Sequence, residues 1–227
     1  MSRIESPKRP SPFTRLLLRL ARRATAKAAG RETERMIEPL EAYAHVPRLL
    51  VGYGMFEEAT AKVSRVPARL KILAELKAAT MTTCEYCIDI GSTIARRAGV
   101  GEAQLIALPR YHDSEEFDEL EKLVLDYAVG MSRTPVEVPD ELFAALREHL
   151  DEAQLVELTS VIALENMRGR FNLAFGIGDA EFSEGMVCAV PEPDAVARPA
   201  AAVAPAPPRT QDEPIAPASS PLAARSG

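Results

Sequence analysis

The sequence has no tryptophan, and its aromatic residues amount to only 5%. The apolar set is mostly alanine and leucine, which favours helices over sheets. No stretch alternates apolar and polar residues between turn signals, so strands are not expected. No apolar run approaches the roughly 18 residues that a membrane-spanning helix needs. The stretch RLLLRLARR near the N-terminus is broken by Arg15, Arg19, Arg22 and Arg23. No small-residue cleavage site follows it, so a secretory leader is not expected. There are only three cysteines, too few for the disulfide framework of a small secreted domain. A reducing cytoplasm fits this usage, and there a close cysteine pair is more often catalytic or metal-binding than structural.

Charge is unevenly spread. Residues 1–35 carry a net +7, residues 36–188 a net −12 and residues 189–227 a net −1. The acidic body excludes nucleic acid as an expected partner, because phosphate binding needs a basic face. These shifts divide the chain into three parts. Residues 1–35 form a basic extension with an amphipathic helix over about 13–29. There Leu16, Leu17 and Leu20 share one side. Packing on the acidic body or on a neighbouring subunit is the preferred use of that helix, and contact with an anionic membrane surface is the second. Residues 36–188 form the body. Residues 189–227 hold nine of the 18 prolines and almost no large apolar residue, which reads as a disordered Pro/Ala tail.

The body reads as helical throughout. Candidate helices span 39–43, 47–61, 67–80, 84–98, 114–131, 139–150 and 152–175. Pro67 and Pro139 suit a first helical turn. Ser114 and Asp151 read as N-caps, and Gly99 as a C-terminal stop.

The densest chemistry lies in TTCEYCIDIGSTIARRAG, residues 82–99. With Thr83 as N-cap, Cys84 takes the first helical position and Cys87 lies one turn on. The two thiols then share a face within disulfide reach. Helix-start amides favour a thiolate. A zinc site needs about four ligands. Only Cys188 and three histidines remain, with no second CxxC and no HxxxH, so no metal and no cofactor are expected. Two buried inert cysteines are the other alternative, and a redox pair is preferred. His45, His112 and His149 read as surface residues, and Cys188 as a bystander. Asp89, two residues past Cys87, is turned off the thiol face and pairs elsewhere.

The order of these elements resembles the carboxymuconolactone decarboxylase and alkylhydroperoxidase D family. The similarity is carried by ARLKILAEL, then CEYC, then a helix ending ARRAG. Further on, DELEKLVLDYAVGMSRTP and ALENMRGRFNLAFGI resemble that family's later helices, and the likeness covers about residues 36–180. The resemblance implies an all-α, alkylhydroperoxidase D-like helical bundle with the CxxC at the N-terminus of a central helix. It also implies association into trimers or hexamers, and an antioxidant, peroxidase or peroxiredoxin-type oxidoreductase. In that chemistry Cys87 attacks a peroxide and Cys84 resolves the sulfenic acid as a disulfide.

Three positions depart from the family's pattern. Tyr86 and Gly91 stand where its two histidines would be, and Ile72 stands where its glutamate would be. Glu75, about one helical turn closer to the thiols, is the candidate replacement. The expected function is therefore thiol-dependent redox chemistry through Cys84 and Cys87, with Glu75 assisting. Its substrates are a peroxide or a partner dithiol. A lactone decarboxylase-like lyase and a non-catalytic oligomeric assembly protein are the alternatives. In the last helix, Glu165, Asn166, Arg168, Arg170 and Asn172 read slightly better as an outer polar face than as a pocket or interface. Glu165 and Arg168 are spaced for an ion pair.

Overall fold

The computed structural model describes residues 2–192, and the described residues contain helices and no strands. The helices are α1 (Pro12–Ala29), α2 (Glu38–Tyr43), α3 (Pro47–Lys62), α4 (Ala68–Thr82), α5 (Glu85–Arg97), α6 (Glu102–Ala107), α7 (Glu119–Ser132), α8 (Asp140–Arg147) and α9 (Glu152–Phe175). A 3-10 helix, Leu108–Asp113, links α6 to α7.

α4 lies at the centre and packs against α5, α7 and α9. It is buried all round, because its apolar residues serve two clusters. Leu70, Ala74 and Ala78 face Val124, Tyr127 and Ala128 of α7 and Leu158, Val161 and Ile162 of α9. Ile72, Leu73, Leu76 and Ala79 face Cys84, Cys87 and Ile88 of α5. A helix that packs apolar residues against neighbours on several sides keeps little solvent surface and becomes the core element; its Lys71, Glu75 and Lys77 are paired within the fold. Glu157 of α9 holds the start of α4, accepting from the Arg65 and Val66 amides at 2.8 and 3.1 Å and from Lys71 at 2.6 Å. Further along, α9 comes close enough that a Cβ on Gly169 would lie 2.5 Å from Thr82 Oγ1.

Several boundaries differ from the sequence reading. Ser114 does not start α7. Asp118 does, because its carboxylate caps the Glu121 amide at 2.8 Å while the Glu121 side chain caps the Asp118 amide at 3.2 Å. That reciprocal cap satisfies two helix-start donors at once, which a lone serine cannot. Pro67 and Pro139 are N-caps rather than first-turn residues; their fixed φ suits the extended cap conformation. α6 and the 3-10 helix were not expected, since six residues are too few to show a period between Gly99, Gly101 and Pro109. The N-terminal residues lie on the body: the Arg3 amide donates to Phe175 O at 2.7 Å and Ser6 Oγ to Glu41 at 2.6 Å.

Residues 193–227, most of the expected tail, fall outside the described residues. Its first four residues lie against the body. Ala189 is buried, its amide donates to Ser92 Oγ at 3.0 Å, and Glu192 pairs with the buried Lys77. A composition count cannot detect such polar docking, because it weighs only apolar side chains.

Candidate active site

The corner between α4 and α5 is two residues long. Thr83 ends α4 in the left-handed region (φ 54°, ψ 33°), and Cys84 caps α5. The sequence reading gave the cap to Thr83; it is one residue later. The Thr83 and Cys84 amides are already used by the Thr80 and Ala79 carbonyls at the end of α4, 3.2 Å away in each case. That forces the turn onto Thr83, although a β-branched residue pays about 1–2 kcal/mol there.

As N-cap, Cys84 offers its sulfur to the helix: Cys87 N–H donates to Cys84 Sγ at 3.3 Å. The two cysteines form a disulfide, with their Cα atoms 5.2 Å apart. Both are buried. A second donor comes from α9. The Asn172 side-chain amide reaches Cys84 Sγ at 3.5 Å and Cys87 Sγ at 3.6 Å. Among the described residues, these two amides are the hydrogen-bond partners of the sulfurs.

One turn before Asn172, Arg168 gathers three carboxylates. Glu57 of α3 takes two of its N–H groups, Glu75 of α4 accepts at 3.1 Å and Glu165 of α9 at 2.8 Å. One guanidinium cannot neutralise three carboxylates, and the charges sort accordingly. Burial works to raise Glu57, but the facing Arg168 overrides it and Glu57 sits below the ordinary range. Burial raises Glu75, with Arg168 opposing. Burial raises Glu165 to about 7, again against Arg168, and neighbouring Glu75 adds to the rise. One oxygen of Glu165 is buried with no hydrogen-bond partner. Such an oxygen is costly on an anion and tolerable on a neutral acid. Arg168 itself is held firmly charged, the Glu57 and Glu165 charges outweighing its burial. Tyr53 of α3 lies beside Glu57 and Arg168, and burial raises its hydroxyl.

Cys84 and Cys87 are therefore brought together. Glu75 is placed on Arg168 and does not hydrogen-bond a sulfur. Ile72, at the family's glutamate position, is buried in the same apolar cluster as both cysteines. Tyr86 donates its hydroxyl to Met36 O, and burial raises it. Gly91 is closed rather than open: a Cβ there would lie 3.1 Å from Leu76 Cδ1. Neither position supplies an acid or base. Asp89 does point elsewhere, accepting from the amides of Ala180, Phe182 and Ser183 at 3.0, 2.9 and 2.7 Å. His112 pairs with Asp126 at 3.0 Å, His45 meets Glu5 O at 2.8 Å, and His149 is exposed. Cys188 is a free thiol, 2.9 Å from Ser183 Oγ.

Of the polar residues of α9 that read as an outer face, only Arg170 is exposed, and Arg168 is partly buried. Glu165, Asn166 and Asn172 are buried. The usable signal was the i, i+3, i+7 stripe Glu165, Arg168, Asn172, which puts all three on one side of a helix. Glu57 and Tyr53 carried no signal, since a glutamate and a tyrosine on an otherwise exposed helix look ordinary.

The carboxymuconolactone decarboxylase family model matches residues 47–128, from the start of α3 to within α7. The uncharacterised protein YnjA of Escherichia coli K12 is 33% identical over 159 residues, 69% of this chain and 84% of YnjA. Among solved structures, the debrominase Bmp8 superposes with a TM-score of 0.66 at 20% identity, over 80% of this chain and 92% of Bmp8. The alkylhydroperoxidase AhpD core of a peroxidase-related protein from Ralstonia eutropha JMP134 gives 0.63 at 19% identity, over 80% and 94%. Fold, cysteine corner and sequence agree: this all-helical chain belongs to the carboxymuconolactone decarboxylase family.

Proposed function

We propose that the protein is a dithiol–disulfide oxidoreductase that cycles Cys84 and Cys87, reducing a peroxide or exchanging with a partner dithiol. The observation that carries this reading is the cysteine pair at the first turn of α5, with two amide donors on its sulfurs. Amide donors stabilise a thiolate far more than a thiol or a disulfide. Cys84 receives the helix amide directly, which favours it as the thiolate that attacks. The family's order, with Cys87 attacking, depends on a histidine that Gly91 replaces.

In the reduced protein the thiolate attacks one peroxide oxygen, and the O–O bond breaks. The departing alkoxide takes a proton and leaves as an alcohol, and the attacking sulfur becomes a sulfenic acid. The second thiol then attacks that sulfur, water leaves, and the disulfide forms. A small-molecule or protein dithiol returns two electrons and two protons by exchange. Glu75 and Glu165, the two carboxylates that burial raises beside the charged Arg168, store the mobile proton. Glu75 is the one on the helix that leads into the cysteines.

Homo-oligomerisation, as a trimer or hexamer, belongs to the same proposal. α3 buries only Leu50 and exposes Leu49, Met55 and Phe56, a face suited to another copy. A reducing, cytoplasmic setting would return the pair to dithiol between turnovers.

Thiol counting before and after hydrogen peroxide tests the chemistry. The expected result is loss of two of the three thiols, a Cys84–Cys87 bridge in peptide mapping, and recovery with dithiothreitol. Three unreactive thiols, or loss confined to Cys188, would overturn the proposal. Alkylation against pH in Cys84→Ser and Cys87→Ser assigns the attacking sulfur.

A further inference from the structure

α1 packs on the body by only one side. Thr14 and Ala29 are buried, and Leu18 and Ala26 lie on the cluster formed by Met36, Ile37, Ala180 and Phe182. Arg22 turns the same way and donates to Thr33 O and Glu34 O, both at 3.0 Å. At about 100° per residue, these positions occupy one half of the helix. The other half is not polar. Phe13, Leu16 and Leu20 fall within about 60° of one another and are 57%, 53% and 50% exposed.

A row of cations winds up one edge of that stripe and reaches it at Lys27. Arg15, Arg19, Arg23 and Lys27 follow at intervals of four and are exposed. None of the four forms an ion pair among the described residues, and α1 contains no acidic residue. The helix is also pre-built. Ser11 caps its start, Gly30 ends it at φ 79°, and Arg97 of α5 donates to the Lys27 and Ala28 carbonyls at 2.7 and 2.8 Å. Docking through the outer face would therefore require no helix formation.

We propose that the outer face of α1 docks on an anionic lipid surface, with Phe13, Leu16 and Leu20 entering the headgroup–acyl boundary and the arginine row meeting lipid phosphates. An apolar stripe edged by cations is complementary to that interface in both respects. The net −12 of residues 36–188 against the net +7 of residues 1–35 steers the approach, turning α1 toward the surface and the body away. A nucleic acid would use the cations and leave the apolar stripe wet. A two-fold pairing of α1 with its own copy would set the arginine rows together. The proposal stands apart from the dithiol chemistry, which uses none of these residues.

Co-sedimentation of the full chain with vesicles tests it. Binding is expected to vesicles of phosphatidylcholine containing phosphatidylglycerol, not to phosphatidylcholine alone. It should be released by high salt. Arg15→Gln/Arg19→Gln/Arg23→Gln should weaken binding by about tenfold or more. Leu16→Asp/Leu20→Asp should abolish it, with circular dichroism and peroxide-sensitive thiol count unchanged. Failure to sediment with the anionic vesicles overturns the proposal, and so does full binding by the leucine variant. Loss of oligomer mass in that variant, without vesicle binding by the parent, would assign the face to a second copy. Equal binding to duplex DNA, insensitive to the leucine change, would assign it to nucleic acid.

Discussion

Asn172 is the residue through which α9 touches the sulfurs. Its amide stabilises the reduced pair most when one sulfur is a thiolate, because bonds to a charged acceptor are the stronger kind. Such a bond is worth about 1.5 kcal/mol, or roughly one pKa unit. Asn172→Leu should therefore slow iodoacetamide alkylation of the reduced protein at neutral pH by about tenfold, and an unchanged pH profile would refute the role. Glu165 makes a different prediction. Its folded value of about 7 lies above its ordinary 4.5. Between those pH values the folded chain holds more protons than the unfolded chain. Its contribution is fully present at the acid end and is lost as pH rises through about 7. Over the whole window that is on the order of 3 kcal/mol, shared with Glu75 because the carboxylates titrate together. Glu165→Gln cannot ionise, so its urea-unfolding stability should decline much less between pH 5 and pH 8 than the parent's.

Between elements, Asp89 fixes the segment after α9 to α5. Its buried carboxylate accepts from three amides and from the Ser183 hydroxyl. Asp89→Ala leaves those amides without a partner at about 1–3 kcal/mol each. Faster hydrogen exchange at residues 180–183 is the expected outcome, with α4 and α7 protected as before; uniform loss of protection would instead mean global unfolding. Gly169 controls how closely α9 approaches α4. An added methyl gains about 1 kcal/mol in helix propensity but must displace Thr82, a cost of about 1–3 kcal/mol. Gly169→Ala should lower the melting temperature, and adding Thr82→Ala should recover part of the loss. The caps show how far such detail was legible. Asp151 announced α9 correctly, since an N-cap acts through its own next three residues. Ser114 misled, although the reciprocal Asp118–Glu121 cap four residues on is just as local and was legible in DELE.

At the largest scale, two helices each expose a group of large apolar residues, beside charges of opposite sign. α3 carries Leu49, Met55 and Phe56 beside Glu57 and Glu58, and α1 carries its stripe beside arginines. The first suits another protein copy and the second an anionic surface. Light scattering of the full chain should give a mass well above the 24.7 kDa of one copy, and Met55→Lys/Phe56→Lys should reduce it. A parent that scatters as a single copy would remove the oligomer from the proposal.

The helical class, the family, and the pairing of Cys84 with Cys87 were legible in the amino-acid order alone. All three depend on local spacing: apolar periodicity sets the helices, and three residues across a helix start place two thiols together. The Glu165–Arg168 pair was legible for the same reason. What surrounds the thiols was not legible there and follows from packing. Asn172 lies 85 residues beyond Cys87, and Glu57 lies 111 residues before Arg168, so their meeting depends on how α3, α4 and α9 pack. The outward stripe of α1 was decided in the same way. Its sequence offers apolar residues on both sides, and the side it buries is set by the cluster of Met36, Ile37 and Phe182 that receives it.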